Sequence, residues 1–528
     1  MKHLKKIFCL IFIFTALFST FTFAAACGGF INREDIQDMD PDAGFEDGTY
    51  DPDTGEYIPA HIYRIEFFGW GDDSEQRIFG HVIEEFNRNN PRIHVDYSAV
   101  ASTQFVQALR NRADNLPHVF YMPDTEFGWW ARTGRLLNLA PVFESGTWAY
   151  GMLDDVWTDA VDKYRFDYDA RRVGEGEMLL GVPKDLGPFT MVYNRNLVRY
   201  HANRTGMCLE ELYEYYLNPN RPMTWAQFNS LLVRLDPRAG QTKTNQDIFG
   251  VTHFELEAAV NSNNAAFMND ALTEQRITDP NFAAAVQFIA DLHLEHRVMP
   301  SPDQQEEMNG FARFQYELAM FSFMGPWDQP TFWGLPFEFD ILPVPIGSAT
   351  GARSTAWRGS MAYSIAGRLA SDRRLRPGYQ RAALEFALHL TANIDAQRYF
   401  YSLGQQVPNL ISLTDEFLTN SESLFGNQDF ESVLGVSAAR ANTLRANSVS
   451  SPRNRSVFLD IVEGFTDSED MIGGKSRAAS RTPDSLWFTM LEESLEPVFR
   501  GNITAAAWAA GHGPTLQNRI NQMNVEWN

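Results

Sequence analysis

The chain has 528 residues, of which 44% are apolar, 13% aromatic and 21% charged. That length suggests two to four domains with ample surface to bury, and the composition excludes a disordered, collagen-like or disulfide-stapled protein. A formal net charge of −23 argues against nucleic-acid binding and against simple electrostatic adhesion to anionic lipid.

The first residues read as a targeting segment. Lys2, Lys5 and Lys6 precede an apolar run from Ile7 to Phe23, and Ala24-Ala25-Ala26-Cys27 follows. Such a pattern describes a secretory signal over residues 1–26. Small residues ending in Cys look like a lipobox, with Cys27 lipidated as the mature N-terminus; Ala24 stands where Leu is usual. Plain secretion and an uncleaved anchor are the alternatives. Of three cysteines, only Cys208 then remains in the folded part, where packing is expected of it and not catalysis. Residues 27–60 are acidic, rich in Asp, Gly and Pro, and without period, so they are expected to form a disordered tether.

Regular structure is predicted from "YRIEFFGW", a strand ending at Trp70. A helix follows, with Ile78, Phe79, Val82, Ile83 and Phe86 on one face, stopped by Asn89-Asn90-Pro91. "RIHVDYSAV" alternates as a strand. "STQFVQALRNRADNLP" reads as a helix, "HVFYMPD" as a strand, and "EFGWWARTGRLLNL" as a helix closed by Gly134. This alternation argues for an open α/β sheet with right-handed crossovers. A second α/β block holds a helix capped by Thr224, the strands "DIFGVTHF", "YELAMFSFMGPW" and "EFDILPVP", and the helices "DPNFAAAVQFIADLHLEH" and "RAALEFALHLTANIDAQRYF". Two further helices, "DSLWFTMLEESLEPVFRG" and "TAAAWAAGHGPTLQNRINQMN", form the tail.

The order of these segments resembles the extracellular solute-binding proteins of bacterial ABC importers (family 1, the maltose-binding-protein-like, carbohydrate type). The likeness runs from about Tyr63 to Asn524. It is carried by "EEFNRNNPRIHVDY", "LPHVFYMPDTEFGWWARTGRLLNL", "GVPKDLGPFTMVYNRNLV", "PMTWAQF", "ELAMFSFMGPW", "FDILPVP", "AALEFALHLTA" with "GQQVPNL", and "DSLWFTMLEESLEPVFRGNITAAAWAA". The chain departs from a compact sugar receptor by additions near 149–177 and 414–480. The resemblance implies an α/β, two-lobed periplasmic-binding-protein-like fold of type II, with ligand bound between the lobes. One lobe would comprise residues 61–190 plus 359–410, the other residues 191–358 plus 411–528.

Candidate ligand contacts follow from chemistry and position. A sugar ring has an apolar C–H face and a polar rim, which suits an aromatic plate flanked by carboxylates. Of 12 tryptophans, Trp70 follows a strand beside Asp72 and Asp73, and Trp357 lies near an implied crossing with Arg358, a possible partner for an acidic sugar. Trp327 and Trp487 match stacking aromatics of the family. Asp124 and Glu126 follow a strand at its carboxyl end, where ligands of open α/β sheets sit; helix capping is the plain alternative for Asp124. Asp185 precedes the first crossing. Of Trp129 and Trp130, one is expected to pack and one to be exposed.

Enzyme signatures are thin. The sequence carries no G-x-S-x-G, P-loop or H-E-x-x-H motif. His293 and His296 are too few for a closed zinc site. No catalytic residue, cofactor or metal is expected. The resulting expectation is a monomeric lipoprotein, anchored outside the cytoplasm, that binds an oligosaccharide and delivers it to an ABC permease. A surface glycoside hydrolase or lyase is the rival, a structural lipoprotein a third reading, and peptide or polyamine the alternative ligands.

Overall fold

A computed structural model describes residues 33–419, 424–426, 428–481 and 486–527. The expected signal and Cys27 lie outside them. The chain forms two α/β lobes connected through two long strands. In the first lobe β1 (Tyr63–Trp70) runs parallel to β2 (Ile93–Val100) and to β3 (Val119–Pro123). Two long strands complete it: β4 (Val182–Asn194) and, later in the chain, one over Ser354–Ile365. In the second lobe β5 (Phe249–Val251) is parallel to β6 (Ala319–Met324), while β6 and β7 (Phe339–Leu342) lie antiparallel on either side of β4. The strand Ser354–Ile365 is β8, and β9 (Ile472–Ser476) pairs parallel with it.

The long strands change partners midway. β4 pairs with β8 over Val182–Phe189, then with β6 and β7 from Thr190 onward. β8 pairs with β9 over Ser354–Arg358 and with β3 over Met361–Ile365. Both strands thus run from one lobe into the other.

Local sequence explains the helix that begins at the cleft. Asp73–Asn89 buries Ile78, Phe79, Val82, Ile83 and Phe86, the five residues on the predicted apolar stripe. Its start is set by a capping box: Asp72 Oδ1 accepts from the amides of Ser74 and Glu75, and the Glu75 carboxylate accepts from the Asp72 amide. Thr224 caps Trp225–Leu235 in the same way. The run predicted as one helix over residues 381–400 is two, Gly378–Ala392 and Ile394–Ser402. Asn393 divides them because its side chain accepts from the amides of Asp395 and Ala396. The last helix continues through Pro514, from Ala505 to Trp527. Among the described residues no helix is long and apolar enough to cross a membrane.

The described parts of both additions pack onto the fold. In the first, Lys163 Nζ donates to the Arg358 carbonyl at 2.9 Å and the Tyr164 hydroxyl to Ser360 Oγ at 3.2 Å, so it braces β8. In the second, the helix Phe430–Leu434 packs on Asp73–Asn89 of the first lobe, and Ala438–Ser450 packs on Gln329–Trp333 of the second.

The expectation of a disordered tether fails for residues 33–60. Ile36, Met39 and Ala43 are buried. The Met39 amide donates to the Asn138 carbonyl and the Asn138 amide to the Gln37 carbonyl, both at 2.8 Å, and Thr49–Tyr50 pairs with Tyr57–Ile58. Mean composition hid a few apolar anchors that need only a preformed groove. Met39→Ala should therefore cost about 2–5 kcal/mol, read as a lower urea midpoint. An unchanged midpoint would return the segment to solvent.

Candidate functional site

The strand ends and helix starts described above converge on a cavity of about 790 Å³ between the lobes. The first lobe contributes Trp70, Asp72, Glu75 and Asp124, and β4 adds Lys184, Asp185 and Gly187. The second lobe contributes Phe311, Trp327 and Asp328. β8 adds Trp357 and Ser360, and the second addition supplies Leu434, Val436, Arg440 and Arg477.

Trp327 is the open aromatic plate, with 39% of its surface exposed. Its ring lies on β4 at Gly187, where an added Cβ would come within 2.6 Å of the indole. Glycine there permits the close approach. Trp70 is half-buried and held edge-on by Phe105 and Tyr121, with ring centroids at 4.9 and 5.4 Å. Trp357 borders the cavity, but both its faces are covered. Phe189 stacks on one at 4.5 Å, and the Arg477 guanidinium lies over the ring at 4.7 Å. Its Nε1 donates to Glu255 at 3.1 Å, and Glu255 also meets His253 Nε2 at 2.9 Å.

The carboxylates are fixed by backbone amides. Asp124 is the first residue of the helix Asp124–Ala131; the cap position is Pro123, so Asp124 does not cap it. Asp124 accepts from the Ser360 amide at 3.1 Å, with Lys163 Nζ at 3.8 Å. Asp185 accepts from the Met361 amide at 3.2 Å and from Lys184 Nζ at 2.6 Å. These contacts cluster where the β4–β8 register shifts between Met361 and Ala362. Burial lifts Asp124 above the ordinary carboxylate range, against the pull of Lys163 and Arg477. Burial lowers Lys163 to about 8. Asp328 accepts from the Gly325 amide at 2.9 Å, and burial, with Glu75 adding repulsion, lifts it to about 7.

The structure brings six of the eight expected ligand residues to this cavity: Trp70, Asp72, Asp124, Asp185, Trp327 and Trp357. Two are elsewhere. Trp487 is wholly buried and donates its Nε1 to the Leu516 carbonyl at 3.1 Å, so it is core. Glu126 is two residues on from Asp124 along a helix and therefore faces another way. It pairs with Arg110 at 2.7 Å. Arg358 is also committed, to Asp159 and the Val462 carbonyl. Trp130 is buried and Trp129 half-buried beneath Arg110, as a divided pair. His293 is buried and bonded to the Phe499 carbonyl, not held in a surface pair. Sequence reasoning missed Glu75, Lys184, Asp328, Ser360 and Arg477. Asp328 adjoins Trp327 and Lys184 adjoins Asp185, so adjacency was a usable signal. Arg477 sits in an addition that no family segment matched, and nothing local marked it.

The profile of the bacterial extracellular solute-binding protein family matches residues 72–367, more than half of the chain. The chain belongs to this family. A search of curated proteins finds no match. Solved structures of similar fold include the ABC substrate-binding protein Lmo0181 from Listeria monocytogenes in complex with cycloalternan. It is 14% identical, with a TM-score of 0.63 over 87% of this chain and 99% of that one. UgpB from Mycobacterium tuberculosis, in complex with glycerophosphocholine, is 15% identical with a TM-score of 0.60 over 87% and 98%. The sugar-binding protein MalE from Xanthomonas citri is 15% identical with a TM-score of 0.58, again over 87% and 98%. This solute-binding protein therefore has the two-lobe fold, with its cavity where the lobes meet.

Two outcomes test the placement of these side chains. Trp487→Ala should cost about 3–5 kcal/mol of stability by chemical denaturation, whereas Trp327→Ala should change it by less than about 1 kcal/mol. Asp328 binds its proton more tightly folded than unfolded, so its contribution to stability falls as pH rises from about 4 to about 7. Asp328→Asn should accordingly be more stable than the parent above pH 7, and the difference should vanish towards pH 4 in a thermal-melt pH series.

Proposed function

We propose that this solute-binding protein is a receptor that captures a carbohydrate, an oligosaccharide of a few rings, between its lobes and hands it to an ABC permease. The observation that carries the reading is one cavity lined by the exposed Trp327 plate and by the oriented carboxylates Asp124 and Asp185. An indole face takes the C–H side of a sugar, and fixed carboxylate oxygens take its hydroxyls. MalE of Xanthomonas citri is itself a sugar-binding protein, which supports the same class of ligand here. The protein performs no covalent chemistry in this reading.

The lobes divide near residues 190 and 359, where β4 and β8 change partners, and again near 410. Binding closes them about those strands, because only the closed form offers contacts from both sides at once. Lipid on Cys27 holds a monomer at the outer face of the cell membrane, and two acyl chains suit stable anchoring better than one.

A thermal-shift screen against neutral oligosaccharides tests the reading. At least one sugar should raise the melting midpoint through binding to the native state. Trp327→Ala should erase that rise while the unliganded protein melts as before. A fully retained shift would remove Trp327 from the site. Anchoring is tested separately: Cys27→Ala should abolish incorporation of labelled palmitate and release the protein into the medium.

A further inference from the structure

We propose that Arg477 is a specificity-determining residue of this cavity and that it grips adjacent hydroxyls of a neutral sugar, not the carboxylate of an acidic one. The inference rests on the carbohydrate reading of the site and narrows its substrate class.

The mounting of Arg477 comes first. Its guanidinium carbon lies over the Trp357 ring, 4.7 Å from the centroid, and Trp357 rests on Phe189. The Nε atom donates to Glu257 at 3.2 Å, and the other oxygen of Glu257 accepts from the Ala478 amide at 2.7 Å. Glu257 is buried, so the fork is clamped from below and behind. Neither terminal amino group has a protein acceptor among the described residues, and Arg477 lines the cavity. A guanidinium has five donors in a planar fork, and stacking on an aromatic face fixes its plane. Here the two outer nitrogens are left for a ligand with two neighbouring acceptor oxygens.

Charge decides which ligand. Lining carboxyl groups outnumber lining cations, Asp72, Glu75, Asp124, Asp185 and Asp328 against Lys184, Arg440 and Arg477, and burial already works against the charged forms of Glu75, Asp124 and Asp328. Two of the three cations already face a carboxylate. Lys184 holds Asp185 at 2.6 Å, Arg440 donates to the Gly334 carbonyl at 2.8 Å, and Glu257 already compensates Arg477. Burial works against the charge of Arg477, yet Glu257, Asp124 and Glu255 together leave its pKa above the ordinary guanidinium range. A carboxylate-bearing ligand would bring a further negative charge to a site that already disfavours ionised carboxyl groups. Paired hydroxyls accept from the fork and donate to the carboxylates without that cost.

The experiment uses the mature protein with maltotriose, cellotriose and xylotriose as neutral probes and trigalacturonate as the acidic one, read by thermal shift and calorimetry. At least one neutral trisaccharide should bind at least tenfold more tightly than trigalacturonate. Arg477→Lys keeps the charge but loses the fork, and should weaken the neutral ligand about tenfold with the unliganded melt unchanged. Arg477→Ala should lose more, and millimolar methylguanidinium should restore part of the loss, which a merely structural role would not produce. Trigalacturonate binding as tightly as the best neutral sugar overturns the proposal, as does an unchanged affinity in Arg477→Lys. Should Arg477→Ala fold poorly, Arg477→Lys and the neutral-to-acidic ratio of the parent still decide. Binding of none of the four probes would overturn the carbohydrate reading and this inference together.

Discussion

The pairing of β4 with β8 is the constraint on which the rest depends. Their antiparallel ladder runs from Trp357 opposite Phe189 to Tyr363 opposite Val182, and each strand also takes other partners along its length. Two consequences follow from one set of backbone hydrogen bonds. Continuous strands join the lobes, so the stretch where the partners change is also where the lobes connect. The same stretch presents the Ser360 and Met361 amides to Asp124 and Asp185, so the floor of the cavity is built by the hinge itself.

The aromatic groups of the cavity divide into plates and pedestals. Trp327 is free on the side away from Gly187 and Phe189, and so can meet a ring. Trp357 is enclosed between Phe189 and Arg477, and its indole serves to fix the plane of a cation. Counting tryptophans near a cleft does not separate these roles. What separates them is whether each face is already covered, and that depends on residues far apart in sequence.

Much of the fold was legible because it is local. The apolar stripe from Ile78 to Phe86 follows helical period, and the cap at Thr224 and the stop at Asn90 are short-range chemistry. The family order of segments carried the two-lobe architecture. The cavity lining was legible where side chains lie at strand ends, as at Trp70 and Asp124. It was not legible where long-range packing decides. Trp487 has the look of a stacking residue in its motif, yet the carbonyl of Leu516, on the last helix, takes its Nε1 inside the core. Glu126 lies beside Asp124 in sequence but a large turn away around the helix. Ile36 and Met39 sit in a stretch whose average composition resembles a linker, and no average reports two anchors finding a groove.

The second addition touches both halves, through Phe430–Leu434 on one and Ala438–Ser450 on the other. A receptor fastened only at its back swings freely, and cargo leaves as fast as the jaws part. One that is also stitched across the front must undo a packed seam before anything enters or departs. In the receptor reading proposed above, exchange would run at the pace of that local unlatching, and slow escape would be a property of the vessel itself.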